Sequence, residues 1–448
     1  MDLCINKKEK IISETSENQK VNEDRETATM MSISCLNEEC LTEIFEYCDI
    51  FQTAKVCKLW REVALRSWRT FKLYDSSSVW SIDEYGTLYI DSDILQPQLI
   101  RSGRYLKALI LDEPKSNCID PGTRVQIPEL NEKSLAMILP HTPNLRYVKA
   151  YLRYNAIYGI QFLTNYCEDI TELILNCEGY WQFKAEKRFQ HALGQLFKSK
   201  RKLKRLNYKG SISGESLEYL PADMEDIHIR SYSMGCESVV KGISKFHKLR
   251  NLELDGNYNI TGLFMALQAC SKSLKVLILR GCGSVDIKRE EIPILSSLEI
   301  LELRQNSWLE DDFLLKAGEH FKRLKSLTIE DDKDSFNSFN KGICGMCQLP
   351  LEELNLILCN EISPAVSKLH TLRSLSLEST FVDLEILCEV IKNCPKLKEL
   401  HIVNYTKKEW NYEVLEAAAL TAKNRAPNSI LKIWIDGKFW KAVKKSIT

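Results

Sequence analysis

The sequence predicts an α/β fold: a solenoid with a curved parallel sheet inside and helices outside, preceded by a small all-α module. The main observation is an L-x-x-L-x-L pattern with conservative swaps, whose regular copies begin at positions 249, 274, 298, 324, 351, 372 and 397. One such unit cannot bury its own leucines, so successive units must stack. The second observation is a stretch of helical periodicity between residues 36 and 66, ahead of the repeats.

Composition excludes several classes of protein. The 448 residues include 61 basic and 61 acidic side chains, so no net field attracts nucleic acid or an anionic membrane. No run approaches the roughly 18 apolar residues of a membrane helix, and residues 1–31 are polar enough to predict a disordered tail. We expect a cytoplasmic or nuclear protein, with no nucleic-acid or membrane partner, whose 16 cysteines are thiols.

The stretch after the tail predicts a helical hairpin. Leu41, Ile44, Phe45 and Cys48 follow the i, i+3, i+4, i+7 spacing of one helical face, and Asn37 is placed to cap that helix. A second face carries Val56, Leu59, Trp60 and Val63. About 40 residues cannot hide this many large apolar side chains in each other. Either the next domain or a partner protein must cover them, and periodicity does not decide which.

These residues resemble an F-box, above all in the segment Val56-Cys57-Lys58-Leu59-Trp60. Asn37 replaces the proline usual in that family, and the link from Tyr47 to Val56 is shorter than is common. The resemblance implies docking on the Skp-type adaptor of a cullin–RING ubiquitin ligase. The adaptor-binding residues that it implies are Leu36, Leu41, Ile44, Phe45, Val56, Cys57 and Trp60. An unrelated helical cap is the alternative.

The repeats resemble leucine-rich repeats, in which each unit is a short strand followed by a turn and a helical return segment. A polar position eight residues after the first leucine is expected to hydrogen-bond the backbone of neighbouring coils; it holds Asn257, Cys282, Asn306 and Cys359. Cys167, Cys270 and Cys394 precede a repeat by three or four residues, which predicts small buried packing thiols.

Four segments follow from this reading. We expect the disordered tail over 1–31, the F-box-like helices with a linking strand over 32–75, about 12 repeats over 76–429, and a closing strand with a capping tail over 430–448.

Motifs for catalysis are missing from the sequence: no nucleotide-binding, zinc-protease or nucleophile-elbow pattern occurs, and we expect neither a cofactor nor a metal. Cys344 and Cys347 form a CxxC pair without a second pair of ligands, which favours two loop thiols. His228 and His401 fall at outward strand positions, without an acid or nucleophile that sequence spacing identifies.

What remains for function is the concave wall of the solenoid, formed by the residues that alternate with the leucines. The charge of this wall is expected to change from a basic patch in the middle to an acidic region near the C-terminal end. The candidate substrate-binding residues are Tyr147, Tyr151, Arg205, Lys209, His228, Arg230, Glu253, Asp255, Arg280 and Arg304. Solvated positions of no special function are the alternative for each of them.

Together the two resemblances imply a substrate receptor of a Skp–cullin–F-box ubiquitin ligase, itself non-catalytic. Its partners would be the Skp-type adaptor, through it the cullin and RING subunits, and an unknown protein substrate bound by the wall. The alternative is a leucine-rich-repeat scaffold or inhibitor whose N-terminal helices only cap the solenoid.

Overall fold

The computed structural model describes residues 36–45, 48, 53–67, 70–72, 80–82, 88–90, 99–101, 103–111, 136–152, 156–177, 183–231, 236–256, 262–283, 292–331, 339–359, 362–380, 383–403, 416, 420, 430–435 and 438–444. The chain divides into two compact units between Ser67 and Trp68. The predicted tail over 1–31 lies outside the described residues, and the four segment boundaries stay predictions.

The N-terminal unit contains the predicted pair of helices, α1 (Glu38–Phe45) and α2 (Lys58–Ser67). Asn37 caps α1 as expected, because its Oδ1 accepts the N–H of Cys40 at 2.8 Å. Leu41, Phe45, Val63 and Ala64 form the buried core between the helices. Since α2 begins at Lys58, Val56 lies in the turn before it rather than on its face.

The second unit is built on one 15-stranded sheet. A separate hairpin pairs β2 (Trp80–Ile82) with β3 (Leu88–Ile90). The strands of the large sheet, in spatial order, are β1 (Thr70–Lys72), β4 (Ala108–Leu111), β5 (Tyr147–Tyr151), β6 (Glu172–Cys177), β7 (Arg205–Gly210), β8 (Asp226–Arg230), β9 (Asn251–Asp255), β10 (Val276–Arg280), β11 (Ile300–Arg304), β12 (Ser326–Glu330), β13 (Glu353–Ile357), β14 (Ser374–Glu378), β15 (Glu399–Val403), β16 (Ile430–Ile435) and β17 (Lys438–Lys444).

Neighbouring strands are parallel and in register from β1 to β16, so equivalent residues of successive repeats lie side by side. Leu252, Leu277 and Leu301, for example, are adjacent and fully buried. This confirms the predicted solenoid. The side chains between the leucines emerge on the opposite side of the sheet, which we call the open face.

Helices of the return segments cover the leucine side. They are α3 (Ala156–Tyr166), α4 (Phe183–Ser199), α5 (Gly214–Leu217), α6 (Cys236–Ile243), α7 (Leu263–Leu267), α8 (Asp311–His320), α9 (Asn340–Gly345) and α10 (Leu384–Asn393). The shortest regular repeat, which begins at Leu351, returns through the 3₁₀ helix Pro364–Lys368 instead. Its 21 residues leave less chain for an α-helix, and a 3₁₀ helix spans more length per residue.

The polar position of the repeats acts as predicted where the structure describes it. Asn306 Oδ1 accepts the N–H of Cys282 at 3.0 Å, and Asn306 Nδ2 donates to the carbonyl of Leu279 at 2.9 Å. Thr380 occupies the same position in a later repeat and donates to the carbonyl of Leu356 at 3.1 Å. Asn257 lies outside the described residues.

The cysteines that precede repeats are packing residues, as expected. Cys167, Cys270 and Cys394 are buried thiols. Burial raises the pKa of Cys270 to about 12, so this thiol stays protonated at neutral pH. At the C-terminal end the predicted strand β16 is present, and β17 pairs with it in antiparallel fashion. None of the described helices has the length and apolarity needed to cross a membrane.

Candidate functional site

The first candidate site is an apolar face on the N-terminal unit. Ile44 is 37% exposed, Val56 is 61% exposed and Leu59 is 38% exposed. We call these three residues the apolar face. Large aliphatic side chains with this much exposure on so small a unit make the apolar face a candidate protein-binding surface.

The turn before α2 sets the position of Val56. The Val56 N–H donates to the carbonyl of Thr53 at 3.2 Å, and Arg61 Nε donates to the carbonyl of Ala54 at 3.1 Å. Cys57 Sγ accepts the N–H of Trp60 at 3.4 Å, where a helix-capping side chain would bind. These contacts close the turn so that Val56 extends into solvent.

The seven predicted adaptor-binding residues divide by burial. Ile44, Val56 and Cys57 are exposed, whereas Leu41 and Phe45 belong to the core. Leu36 and Trp60 are partly buried against that core, and the rings of Trp60 and Phe45 lie 5.1 Å apart. Leu59 was not among the predicted adaptor-binding residues, although its position beside Trp60 in the motif could have indicated it.

The second candidate site is the open face of the sheet, where nine of the ten predicted substrate-binding residues are exposed or half-buried. Arg205 and Arg230 are exposed; Tyr147, Lys209, His228, Glu253, Asp255, Arg280 and Arg304 are half-buried. Tyr151 corrects the prediction, since only 5% of it is exposed. It ends β5, where the alternation of exposed and buried side chains breaks down.

A chain of charged contacts crosses the open face from β8 to β11. His228 Nδ1 lies 2.8 Å from Glu253 Oε2, and Arg280 bridges Glu253 to Glu302, with its Nη2 lying 2.8 Å from Glu302 Oε1. Arg304 Nε also lies 2.5 Å from Glu302 Oε1. We call His228, Glu253, Arg280, Glu302 and Arg304 the charge ladder. The hydrogen bond from His228 and the charge of Arg280 hold the pKa of Glu253 below its ordinary value, against the opposing effect of burial.

The predicted basic patch in the middle of the wall is wrong, because acids of adjacent strands pair with its cations. Arg205 Nη1 lies 3.3 Å from Glu172 Oε2 and its Nε lies 3.0 Å from Asp226 Oδ2. Arg230 Nε lies 2.6 Å from Asp255 Oδ2. The region is therefore a mixed array of charges in which each of these two arginines has a carboxylate partner.

Sequence reasoning missed the acid beside His228 and an aromatic contact of His401. Glu253 is the residue of β9 that is in register with His228, so the repeat alignment itself carried the signal. The ring of His401 stacks on Trp434, with centroids 5.7 Å apart and planes 5° from parallel. Trp434 is likewise the register partner of His401, on the closing strand.

A groove on the helical side was also not predicted. It is open to solvent and has a volume of about 770 Å³ between α3 and α4. Lys187, Arg188 and His191 contribute to one wall, and Tyr158 and Gln161 contribute to the other. The basic residues of α4 were its only sequence signal.

The CxxC pair lies partly on a helix, which corrects the expectation of two loop thiols. Cys344 is in α9, and Cys347 is in the turn that follows. Among the described residues, no group of three or more His, Cys, Asp or Glu side chains is arranged to hold a metal ion.

Comparison with known proteins identifies the N-terminal unit. The F-box domain family matches residues 33–72. No curated protein sequence shows significant similarity to the chain. Among solved structures, the yeast complex of Rad7 and Elc1 contains a chain that is 13% identical, with a TM-score of 0.46, covering 91% of this chain and 94% of that one. An LRR protein of Leptospira interrogans is 16% identical, with a TM-score of 0.43, covering 86% of this chain and 89% of that one.

Proposed function

Since the chain carries an F-box domain followed by a leucine-rich-repeat solenoid, we propose that it is the substrate-recognition subunit of a Skp–cullin–F-box ubiquitin ligase. The observation that carries the proposal is the apolar face inside the matched F-box segment. In this function the F-box binds a Skp-type adaptor, and through it the cullin and RING subunits. The solenoid binds the target protein.

The protein performs no bond chemistry in this role. It raises the concentration of the target at the site of ubiquitin transfer, which is an effect of proximity. The working compartment is the cytoplasm or nucleus. This assignment rests on the interpretation of the 16 cysteines as thiols, as expected in a reducing compartment.

Adaptor binding is assigned to Ile44, Val56, Leu59 and Cys57, with Leu41 and Phe45 holding the helices that present them. Leu36 and Trp60 lie at the border of the core and contribute to both. Because the Trp60 ring packs on Phe45 of the core, Trp60→Ala would disturb folding, and the test is better made on the exposed side chains.

Val56→Glu tests the adaptor-binding face without changing the core. Placing a carboxylate in an apolar interface leaves a buried unpaired charge, which costs several kcal/mol. We therefore expect the affinity for a Skp-type adaptor, measured by calorimetry with the full chain, to fall more than about a hundredfold.

Met265→Glu is the matched control, because Met265 is 64% exposed and lies on α7 in the solenoid. Adaptor binding should be unchanged in this variant. If Val56→Glu binds the adaptor as tightly as the natural chain, the face is not the docking surface. If Val56→Glu instead unfolds the protein, the N-terminal helices serve as a cap of the solenoid.

Target binding is assigned to the open face, with Tyr147, Lys209 and the charge ladder as its central contacts. Arg205, Arg230 and Asp255 flank them. Complementary charges on such a surface select and orient a protein partner.

Proximity labelling in cells tests this assignment, with the natural chain and Val56→Glu compared in the presence and absence of a proteasome inhibitor. A target should be labelled by both chains, because the open face is intact in both. It should accumulate on inhibition only with the natural chain. Equal accumulation with both chains would contradict the proposed function.

A further inference from the structure

The proposed function leaves unused the pair of thiols Cys344 and Cys347 on the helical side of the solenoid. Cys344 is exposed and Cys347 is half-buried. The N–H of Cys347 donates to the carbonyl of Cys344 at 3.2 Å. This hydrogen bond closes a tight turn, in which the Cα atoms of the first and last residues lie within about 7 Å of each other. A disulfide requires a Cα separation of roughly 4.4–6.8 Å, so a turn of this kind can bring Cys344 and Cys347 close enough to form one.

Cys347 is the more buried of the two thiols. Burial, together with the neighbouring Cys344, raises the pKa of the Cys347 thiol. Cys347 Sγ lies 3.6 Å from the carbonyl of Ile343 and 3.9 Å from that of Ala365, a residue of the next repeat. Cys347 is therefore held as a protonated thiol at the junction of two repeats.

Cys344 has a different environment. It is the more exposed of the two thiols, so a dissolved oxidant reaches its sulfur first. The ammonium group of Lys368 lies 3.9 Å from this Sγ and places a positive charge beside the sulfur that reacts. Lys368 ends the 3₁₀ helix of the next repeat, so this contact also spans the junction.

We propose that Cys344 and Cys347 form a reversible disulfide when the protein meets a peroxide, with Cys344 as the reacting thiol and Cys347 as the resolving one. The Cys344 thiolate attacks one oxygen of hydrogen peroxide; the O–O bond breaks and a sulfenic acid forms as hydroxide leaves. The sulfur of Cys347 then attacks the sulfenic sulfur, an S–S bond forms, the S–O bond breaks, and the Cys347 proton leaves with the hydroxyl group as water. In sum, two thiols and one peroxide give a disulfide and two waters.

The disulfide alters the repeat junction. It removes the S–H of Cys347 from the carbonyl of Ala365 and draws Cys344 away from Lys368. Two contacts between neighbouring repeats are then lost on the helical side. Amide hydrogen exchange should increase over 363–369 on oxidation and return after treatment with dithiothreitol.

Mass spectrometry of the full natural chain tests the proposal directly. Trypsin followed by a Glu-specific protease releases residues 342–352, which contain Cys344 and Cys347 and no other cysteine. After dilute hydrogen peroxide we expect this peptide to be two hydrogens lighter and resistant to alkylation, and dithiothreitol should reverse both changes. The tryptic peptide 374–392, analysed before the Glu-specific protease is added, is the internal control, because it carries only Cys388, another half-buried thiol.

Two substitutions test the assigned roles. In Cys347→Ser the sulfenic acid on Cys344 should persist and react with dimedone. In Lys368→Met the loss of a charge about 4 Å from the sulfur should slow oxidation about fivefold, and Lys368→Arg should restore the rate. If peptide 342–352 of the natural chain stays alkylatable after peroxide, or if Cys388 oxidises as fast as this pair, the proposal is refuted. If Lys368→Met oxidises as fast as the natural chain, the assigned role of Lys368 is wrong.

Discussion

Removal of the Asn306 side chain should weaken the solenoid at one defined junction. Asn306→Ala leaves the N–H of Cys282 without its side-chain partner and removes one hydrogen bond from the carbonyl of Leu279. Asn306 itself is only 3% exposed, so water does not replace it readily. Each buried polar group left unpaired costs about 1–3 kcal/mol. Allowing for some relaxation, we expect the free energy of unfolding to fall by about 3 kcal/mol.

A cysteine at the same repeat position suggests a variant whose stability lies between those of the natural chain and Asn306→Ala. Cys282 occupies the same repeat position as Asn306, and its Sγ lies 3.9 Å from the carbonyl of Leu254. Asn306→Cys keeps a weak donor for Leu279 but loses the acceptor for Cys282. It should therefore be less destabilising than Asn306→Ala. Asn393→Ala is the control, because that half-exposed amide makes only a 3.5 Å contact with Glu389.

Urea unfolding followed by circular dichroism measures the stability of these variants. Solenoids need not unfold in two states, so hydrogen exchange at the Cys282 amide supplies the local measurement. That amide should exchange much faster in Asn306→Ala and little faster in Asn393→Ala. If Asn306→Ala and Asn393→Ala have equal stability, the bridging amide does not hold the junction together.

Three further predictions follow from burial, charge and close packing. Folding lowers the pKa of Glu253, because its carboxylate accepts a hydrogen bond from His228. The ionised carboxylate therefore stabilises the fold above its unfolded pKa, and this stability is lost as pH falls through the folded pKa. In thermal melts between pH 7 and 3, the melting temperature of Glu253→Gln should fall less than that of the natural chain. Gly342→Ala would bring its Cβ into steric clash with Leu314 Cβ, so urea titration should show a loss of about 1–3 kcal/mol in the free energy of unfolding. Phe45→Ala should cost the F-box helices about 3–5 kcal/mol, with exchange protection lost over 38–67 and retained in the solenoid.

The parts of the fold that depend on periodicity could be predicted from the sequence. The leucines of the repeats give the strands, the buried side of the sheet and the register, because each repeat is a copy of its neighbour. The packing thiol Cys270 and the bridging Asn306 follow from the same register. The kind of helix in the return segment of the repeat beginning at Leu351 could not be predicted, because the pattern does not distinguish a 3₁₀ helix from an α-helix.

The candidate sites could be predicted less completely, because they depend on which side chains meet. Val56 was placed on a helix by its spacing, whereas the turn closed by Cys57 and Trp60 leaves it exposed. Tyr151 was assigned to the wall by alternation, which fails at the end of its strand. The partner of His228 required comparison of residues 25 positions apart rather than neighbours in sequence.

The charge ladder constrains how a target can bind the open face. Glu253 and Glu302 each have a cationic partner on a neighbouring strand, and Arg280 joins the two. A charged group of a target must therefore extend this ladder or replace one of its members, and replacement gives up an existing pair. Net affinity from such an exchange is small, whereas a misplaced charge is strongly disfavoured. The ladder is consequently better suited to rejecting wrong partners than to strengthening the binding of the right one, and Tyr147 is the described candidate able to add apolar contact area.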